Sequence, residues 1–483
     1  MTQRTLRGMA WSVAASMSQI GVQLSLIAIL SRLLAPKDFG LIAAATIVTS
    51  LLSIVWQGGL KQALIQLKEI DGTHVRTTFT LSLSLSLLTG LIVFALAPVF
   101  EDFLGIDGLT PILRVMTLTF VLQALGDTAE VLLGRSLRFK FVASVELASY
   151  ILGYAVISLA LAAMDFGVWA LVGGVISQIA LRSAIFLWAA RHDCRPQIHR
   201  RAAKDLSNVS FGFLLARIIG AIALQGDNAV AGKFLGAEAL GLYDRAYKLM
   251  AMPTNFYGSA LSRVIFPAMA RVQDDPARMA NALRKGTALT ALLGLPLSVV
   301  LILAAPEIVA VLLGEQWSAV LPTFQILGFG LFLRFSVKTS SSVLFAKGHM
   351  ARLLWPQVMY ACAVVGGSIY AAPYGLPGIA TAVLISLLLQ YAGMTYWALQ
   401  AVNMPLGVFL RAHLPGLAMG VLTALTVWSC TLALRPFGSA LLTLVVVVFA
   451  VGGVLGLASL LTKGQLLGRD GQEILRSLGI RIF

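Results

Sequence analysis

A chain of 483 residues in which 58% are hydrophobic and only 12% charged carries about half the charge that a soluble domain of its size needs to cover its surface. That excludes an ordinary soluble enzyme or binding module, and the mean hydropathy of +0.87 agrees. The formal net charge of +15 reads as the basic excess of loops on one side of a many-spanning membrane protein, not as a footprint for nucleic acid. Cys194, Cys362 and Cys430 stand too far apart for a metal-binding spacing or a disulfide framework.

Apolar runs of about 20 residues, each able to cross a hydrocarbon core of about 30 Å, recur from end to end. In chain order they predict spans over residues 9–34, 40–65, 77–100, 112–133, 141–163 and 167–190, then 206–231, 240–266, 280–305, 321–345, 353–372, 376–400, 409–433 and 437–461. The fold class expected is an all-α membrane protein of about fourteen transmembrane helices. Arg4 and Arg7 precede an apolar run too long for a signal peptide, which predicts an uncleaved first helix. The longest polar connection, 191–204, is too short to fold alone.

The loops test the alternation. One side collects Arg135, Arg138, Lys140, Arg191, Arg195, Arg200, Arg201, Lys204, Arg271, Arg278, Lys347, Arg352 and Arg469. On the other, Lys37, Lys233 and Arg435 stand almost alone among Glu101, Asp102, Asp107, Asp165, Glu307 and Glu315. The basic side is expected to be cytoplasmic, with both termini there. The tail, 463–483, spaces leucines and isoleucines with arginines; a surface-lying amphipathic helix and a frayed basic tail both fit it.

The segment SRLLAPKDFGLIAAA at the end of the first span reappears as GKFLGAEALGLYDRA at the end of the seventh. Arg32 matches Lys233, Leu34 matches Leu235, Gly40 matches Gly241 and Leu41 matches Leu242. An even helix offset predicts parallel repeats about an axis along the membrane normal, hence two bundles of about six helices each around a central cavity. The organisation expected is residues 1–204 for the first bundle and its basic linker, 205–402 for the second, 403–462 for two further helices, and 463–483 for the tail.

A charge inside the bilayer costs at least about 2.5–3.5 kcal/mol near a helix centre, so it is expected to face a partner or a wet cavity. Arg217, Arg334, Lys338 and Arg182 are such residues, and Gln57 begins a Gln-Gly-Gly interruption of the second span. These five are the substrate-cavity candidates, and a cationic cavity suits an anionic solute such as a pyrophosphate or an acidic sugar. Asp227, Arg245, Lys248, Asp127 and Glu130 are the gate or ion-coupling candidates. Asp227 is expected to pair with Arg245 or Lys248 across adjacent helices. Pro253 is expected to interrupt the eighth span. The sequence contains neither a phosphate-binding GKS/T loop nor an HExxH motif, and its outer loops are too short for a glycosyltransferase or ligase site. The histidines, His74, His192, His199, His349 and His413, fall in or beside loops on the basic side.

Four segments resemble a known family. RGMAWSVAASMSQIGVQLSLIAILSRLLAPKDFGLIAAATI, WQGGLKQALIQLKEID, LLGRSLRFKF and, most specifically, FGFLLARIIGAIALQGDNAVAGKFLGAEALGLYDRAYKLMAMP are similar to bacterial Wzx-type polysaccharide exporters. These form the polysaccharide-transport branch of the multidrug/oligosaccharidyl-lipid/polysaccharide flippase superfamily. The resemblance is dense up to about residue 275 and thinner beyond, where Arg334 and Lys338 lie. It implies two six-helix bundles plus two helices and alternating access. It also implies a substrate of undecaprenyl-pyrophosphate-linked oligosaccharide, moved across the bacterial inner membrane for exopolysaccharide, capsule or O-antigen. The implied energy source is an H+ or Na+ gradient, without cofactor or metal, in a non-enzymatic monomer. Partners expected are the lipid-linked substrate, membrane lipids, and polymerase and chain-length proteins, with no nucleic acid. The alternatives are a lipid II flippase, a drug/cation antiporter of the same superfamily, and a membrane polymerase or ligase. The antiporter would want an acidic cavity, and the polymerase a long outer loop.

Overall fold

The computed structural model describes residues 21–57, 59–67, 69–191, 193–270 and 275–461, with 468 and 472. The expectations for the N-terminus, the start of the first span, Gly58, His192, Arg271 and most of the tail lie outside these residues. The described chain is helical: α1 (Gly21–Leu33), α2 (Pro36–Gln57), α3 (Leu60–Gln66), α4 (Gly72–Leu104), α5 (Leu109–Met116), α6 (Leu118–Arg135), α7 (Phe139–Ala148), α8 (Val156–Ala163) and α9 (Val168–Ala190) come first. They are followed by α10 (Arg200–Ala270), α11 (Pro276–Leu303), α12 (Ala305–Leu312), α13 (Leu321–Ala346), α14 (Met350–Ala371), α15 (Gly375–Val402), α16 (Leu406–Arg411), α17 (Leu414–Leu434) and α18 (Ala440–Leu461). Among the described residues, 10 helical stretches are long and apolar enough to cross a membrane. The protein is a multi-pass membrane protein. Its outward side chains show why: Phe449 of α18 is 76% exposed, which only a hydrocarbon solvent tolerates along a whole helix face.

The breaks between helices follow local chemistry. Asp71 caps α4 by accepting from the Thr73 and His74 amides. Asp275 caps α11 the same way, with Pro276 at the first helical position. Gly59 adopts a left-handed φ of 88° between α2 and α3, so the Gln-Gly-Gly interruption is real. A short 3-10 turn, Ala372–Tyr374, separates α14 from α15, and another, Arg435–Phe437, separates α17 from α18. In the fifth apolar run, α7 and α8 are joined by one π-helical segment, Ser149–Ala155. One expectation is corrected: Pro253 keeps helical geometry, and the non-helical residue inside α10 is Gly236, with φ 84°. A glycine supplies that conformation without strain, which a proline cannot.

The chain forms two compact units, Met1–Asp244 and Arg245–Phe483. In the first, Leu60, Ala63, Leu64, Val131 and Leu206 pack around α3, and Ala129, Leu133, Val145 and Phe186 tie α6, α7 and α9 together. In the second, Met279, Leu283, Val343, Met394 and Phe409 belong to one core spanning α11, α13, α15 and α16.

The two matched sequence segments touch each other within the first unit. A Cβ built on Gly40 would strike the carbonyl oxygen of Ala237, and one on Gly241 would strike that of Pro36 and lie 2.9 Å from the Gly40 nitrogen. Pro36 and Ala237 stand at equal distance ahead of their glycines. The contact is therefore reciprocal, as two-fold-related surfaces make it. Of the three cations on the acidic side, Lys233 and Arg435 have assigned contacts. Lys233 lies 3.6 Å over the Phe103 ring, and Arg435 Nε donates to Glu307 at 2.7 Å.

Candidate functional site

In the first unit the polar side chains form a column. Gln123, Asp127 and Glu130 fall on one face of α6 by helical spacing. They meet Gln57 at the end of α2 and Lys61 on α3. Lys61 Nζ lies 2.6 Å from Asp127 Oδ1 and 3.1 Å from Glu130 Oε2. Gln57 donates a long bond, 3.4 Å, to Gln123. Arg217, from α10, donates to the side-chain oxygen Oε1 of Gln57 at 3.4 Å. Two of the cavity candidates are thus brought together, and both gate candidates of α6 share one lysine.

The break at Gly59 makes this possible, because it turns α3 so that Lys61 meets α6. Arg135 holds the end of α3 by donating to the carbonyls of Leu64, Ile65 and Leu67 at 2.8–2.9 Å. Those are helix-end acceptors that a membrane offers no other donor. On the other flank, Gly126 lets α6 approach α9: a Cβ there would lie 2.8 Å from Ser183 Cα. Arg182, next to Ser183 on α9, is half-buried.

Asp227 is buried, and its oxygens accept from the Tyr243 hydroxyl at 2.8 Å and the Asn228 amide at 3.0 Å. The tyrosine partner was not anticipated. Arg245 is buried and Lys248 exposed, both in the second unit.

In the second unit Arg334 and Lys338 stand one turn apart on α13. The Arg334 guanidinium lies 5.0 Å over the Tyr247 ring and donates to its hydroxyl at 3.2 Å. Lys338 Nζ donates to the Thr254 carbonyl at 2.9 Å, in space left by Gly258, whose absent Cβ would meet the lysine. Three hydroxyls fasten α13 behind these cations: Tyr257 to Thr290 at 2.5 Å, Tyr257 to Thr339 at 3.0 Å and Thr290 to Thr339 at 2.8 Å. Phe335 stacks on Tyr257 with centroids 4.1 Å apart. Below Lys338 opens a cavity of about 440 Å³ lined by residues of α13, α14 and α15. Among the described residues, three or more His, Cys, Asp or Glu side chains nowhere gather as a metal site.

Sequence reasoning missed Lys61, Gln123, Tyr243 and Tyr247. The spacing of Gln123, Asp127 and Glu130, and of Gln57 and Lys61, is a polar stripe readable in the sequence once α3 is known to break from α2. The tyrosines carry no such signal.

An all-helical, many-spanning bundle with charged side chains buried among its spans is a membrane transporter fold. Its backbone is similar to that of the lipid II flippase MurJ in an inward closed conformation, with a TM-score of 0.73 and 12% identity over 92% of this chain and 98% of that one. Residues 29–322 match the family model described as polysaccharide biosynthesis protein, and the chain belongs to that family, the Wzx-type exporters its motifs resemble. It is 29% identical to the succinoglycan biosynthesis transport protein ExoT of Rhizobium meliloti (strain 1021), over 76% of this chain and 74% of the relative. It is 25% identical to the lipopolysaccharide biosynthesis protein WzxC of Escherichia coli (strain K12), over 72% and 71%.

Proposed function

We propose that this protein flips undecaprenyl-pyrophosphate-linked oligosaccharide repeat units across the bacterial inner membrane, from the cytoplasmic to the periplasmic leaflet. In this reading about fourteen spans, as two six-helix bundles and two further helices, rock about a fixed site, with both termini cytoplasmic. The observation that carries it is the set of arginines and lysines kept inside the spans of a polysaccharide biosynthesis family member. Arg217 donates to the neutral side-chain oxygen of Gln57 and Arg334 to the hydroxyl of Tyr247, and guanidinium groups held in a place where charge is expensive suit an anionic, diphosphate-bearing cargo.

Energy comes from an H+ or Na+ gradient. Asp127 and Glu130, sharing Lys61, are the coupling site in the first unit: an ion arriving at the carboxylates loosens the lysine, and its departure restores the pair. Asp227, held by the Tyr243 hydroxyl, acts as part of a gate in the first unit.

Complementation of a strain lacking its polysaccharide flippase, with surface glycan as readout, tests this. Rescue by the wild-type chain and its loss in Arg217→Ala are expected. Failure to restore glycan, with rescue instead of a strain depleted of its lipid II flippase, overturns the reading in favour of the peptidoglycan precursor.

A further inference from the structure

The cavity beside Lys338 has a chemistry that the proposed diphosphate contacts leave unused. Lys338, Ser341 and Ser342 share one face of α13, Gln357 comes from α14 just after Pro356, and Gln390 and Met394 lie one turn apart on α15. All six line the same space. Its volume, about 440 Å³, falls in the range of about 300–1,000 Å³ typical of small-molecule sites.

The polar groups are prepared but unspent. The ammonium of Lys338 has three donors, and Thr254 takes one. Among the described residues no carboxylate pairs with it. Among the same residues, the amides of Gln357 and Gln390 find no protein hydrogen-bond partner. Both amides open onto the cavity beside the lysine and the two serines, and are available to a polar occupant. The Ser341 and Ser342 hydroxyls both donate to the Lys338 carbonyl, at 3.0 and 2.8 Å. Their protons are thus committed to the helix, and they meet the cavity as acceptors. Met394, with Leu353 and Phe345 beside it, supplies an apolar wall.

From this arrangement we infer that the cavity is a glycan-reading subsite for an acidic sugar, a hexuronate or a similarly carboxylated hexose of the transported repeat unit. The inference rests on the flippase reading and names what part of the cargo this unit recognises. A carboxylated pyranose matches the wall group by group. It brings one negative charge to one lysine, hydroxyl donors to two serines, donors and acceptors to two amides, and a C–H face to the methionine. A diphosphate fits worse: it carries more charge than one lysine balances and is better met by forked guanidinium donors. A cationic drug is repelled by Lys338, and a lipid tail would strand the amides.

The test uses the full chain in lipid nanodiscs, with glucuronic acid, glucose and inorganic pyrophosphate as probes and intrinsic fluorescence as readout. Glucuronate is expected to bind saturably and glucose more weakly. Lys338→Gln should weaken glucuronate about tenfold, as loss of one charged hydrogen bond does, and leave glucose almost unchanged. Lys338→Arg should keep most of the glucuronate affinity, which shows that a loss in Lys338→Gln is not misfolding. Gln390→Leu and Gln357→Leu should weaken both sugars. Absence of saturable glucuronate binding by the folded wild-type protein overturns the subsite. Pyrophosphate binding that depends on Lys338 and competes with glucuronate also overturns it, in favour of the carrier's diphosphate. Rescue of surface glycan by the wild-type chain is scored separately: rescue without glucuronate binding sinks the subsite alone, whereas binding without rescue supports the subsite and sinks the flippase reading.

Discussion

Single side chains decide whether charge can be kept inside this protein. Lys61 is the one whose removal is expected to hurt most, because it leaves Asp127, almost fully buried, beside Glu130 with no cation between them. Breaking a buried pair from one side costs about 3–5 kcal/mol. Lys61→Met should therefore lower the melting temperature of the purified protein sharply, and adding Asp127→Asn should recover much of the loss. Equal, additive losses in the single and double variants would show that the pair is not coupled. Tyr243→Phe is a milder test. It deletes a hydroxyl donor to the buried Asp227, a charged hydrogen bond worth about 1.5–3 kcal/mol, and the same melting measurement reads it.

Helices and the turns between them show where backbone rather than side chain is limiting. Gly40 and Gly241 each approach a carbonyl oxygen of the other segment, and a carbonyl cannot rotate away as a side chain can. Gly40→Val and Gly241→Val should each separate α2 from the Gly236 turn, costing at least about 1–3 kcal/mol, the usual penalty of overpacking. Similar destabilisation by the two, read by denaturation in detergent, is expected from the reciprocal contact; a large loss at one and none at the other would refute it.

At the other end of α4, Asp71 is held well below the usual carboxylate range, first by the Thr73 hydroxyl and then by the His74 amide. A depressed carboxylate adds stability that is complete above about pH 4, its unfolded value, and is lost as pH falls through the folded one. Protection of the amides in the first turn of α4, taken relative to their intrinsic exchange rate at each pH, should therefore fall on acidification below that value, and Asp71→Ala should lack that protection at every pH.

For the molecule as a whole, orientation is the property most open to a direct experiment. Cys194 is exposed in the basic connection between α9 and α10, whereas Cys362 and Cys430 lie within α14 and α17. Partial burial and then the charge of Asp193 push the Cys194 thiol up, so labelling should speed up as pH rises. A membrane-impermeant maleimide should reach it from inverted vesicles and not from right-side-out ones. Labelling only from outside would reverse the expected topology.

Much of this protein was legible in its sequence because a bilayer is a severe and uniform solvent. Every span must be apolar over a fixed length and satisfy its own backbone. Hydropathy along the chain therefore exposes the all-helical, many-spanning character of the protein directly. The motifs around Asp227 to Pro253 likewise pointed to the family that the comparisons establish. The partners of the buried charges were not legible in that way. Lys61 reaches Asp127 only because α3 breaks from α2 at Gly59, Ser183 of α9 packs on α6 only because Gly126 admits it, and Tyr243 and Tyr247 look in sequence like any tyrosines of a membrane helix. Membrane insertion depends on properties summed along one helix, which a sequence displays directly. Pairing depends on the rotation and spacing of several helices at once, which only the tertiary structure decided.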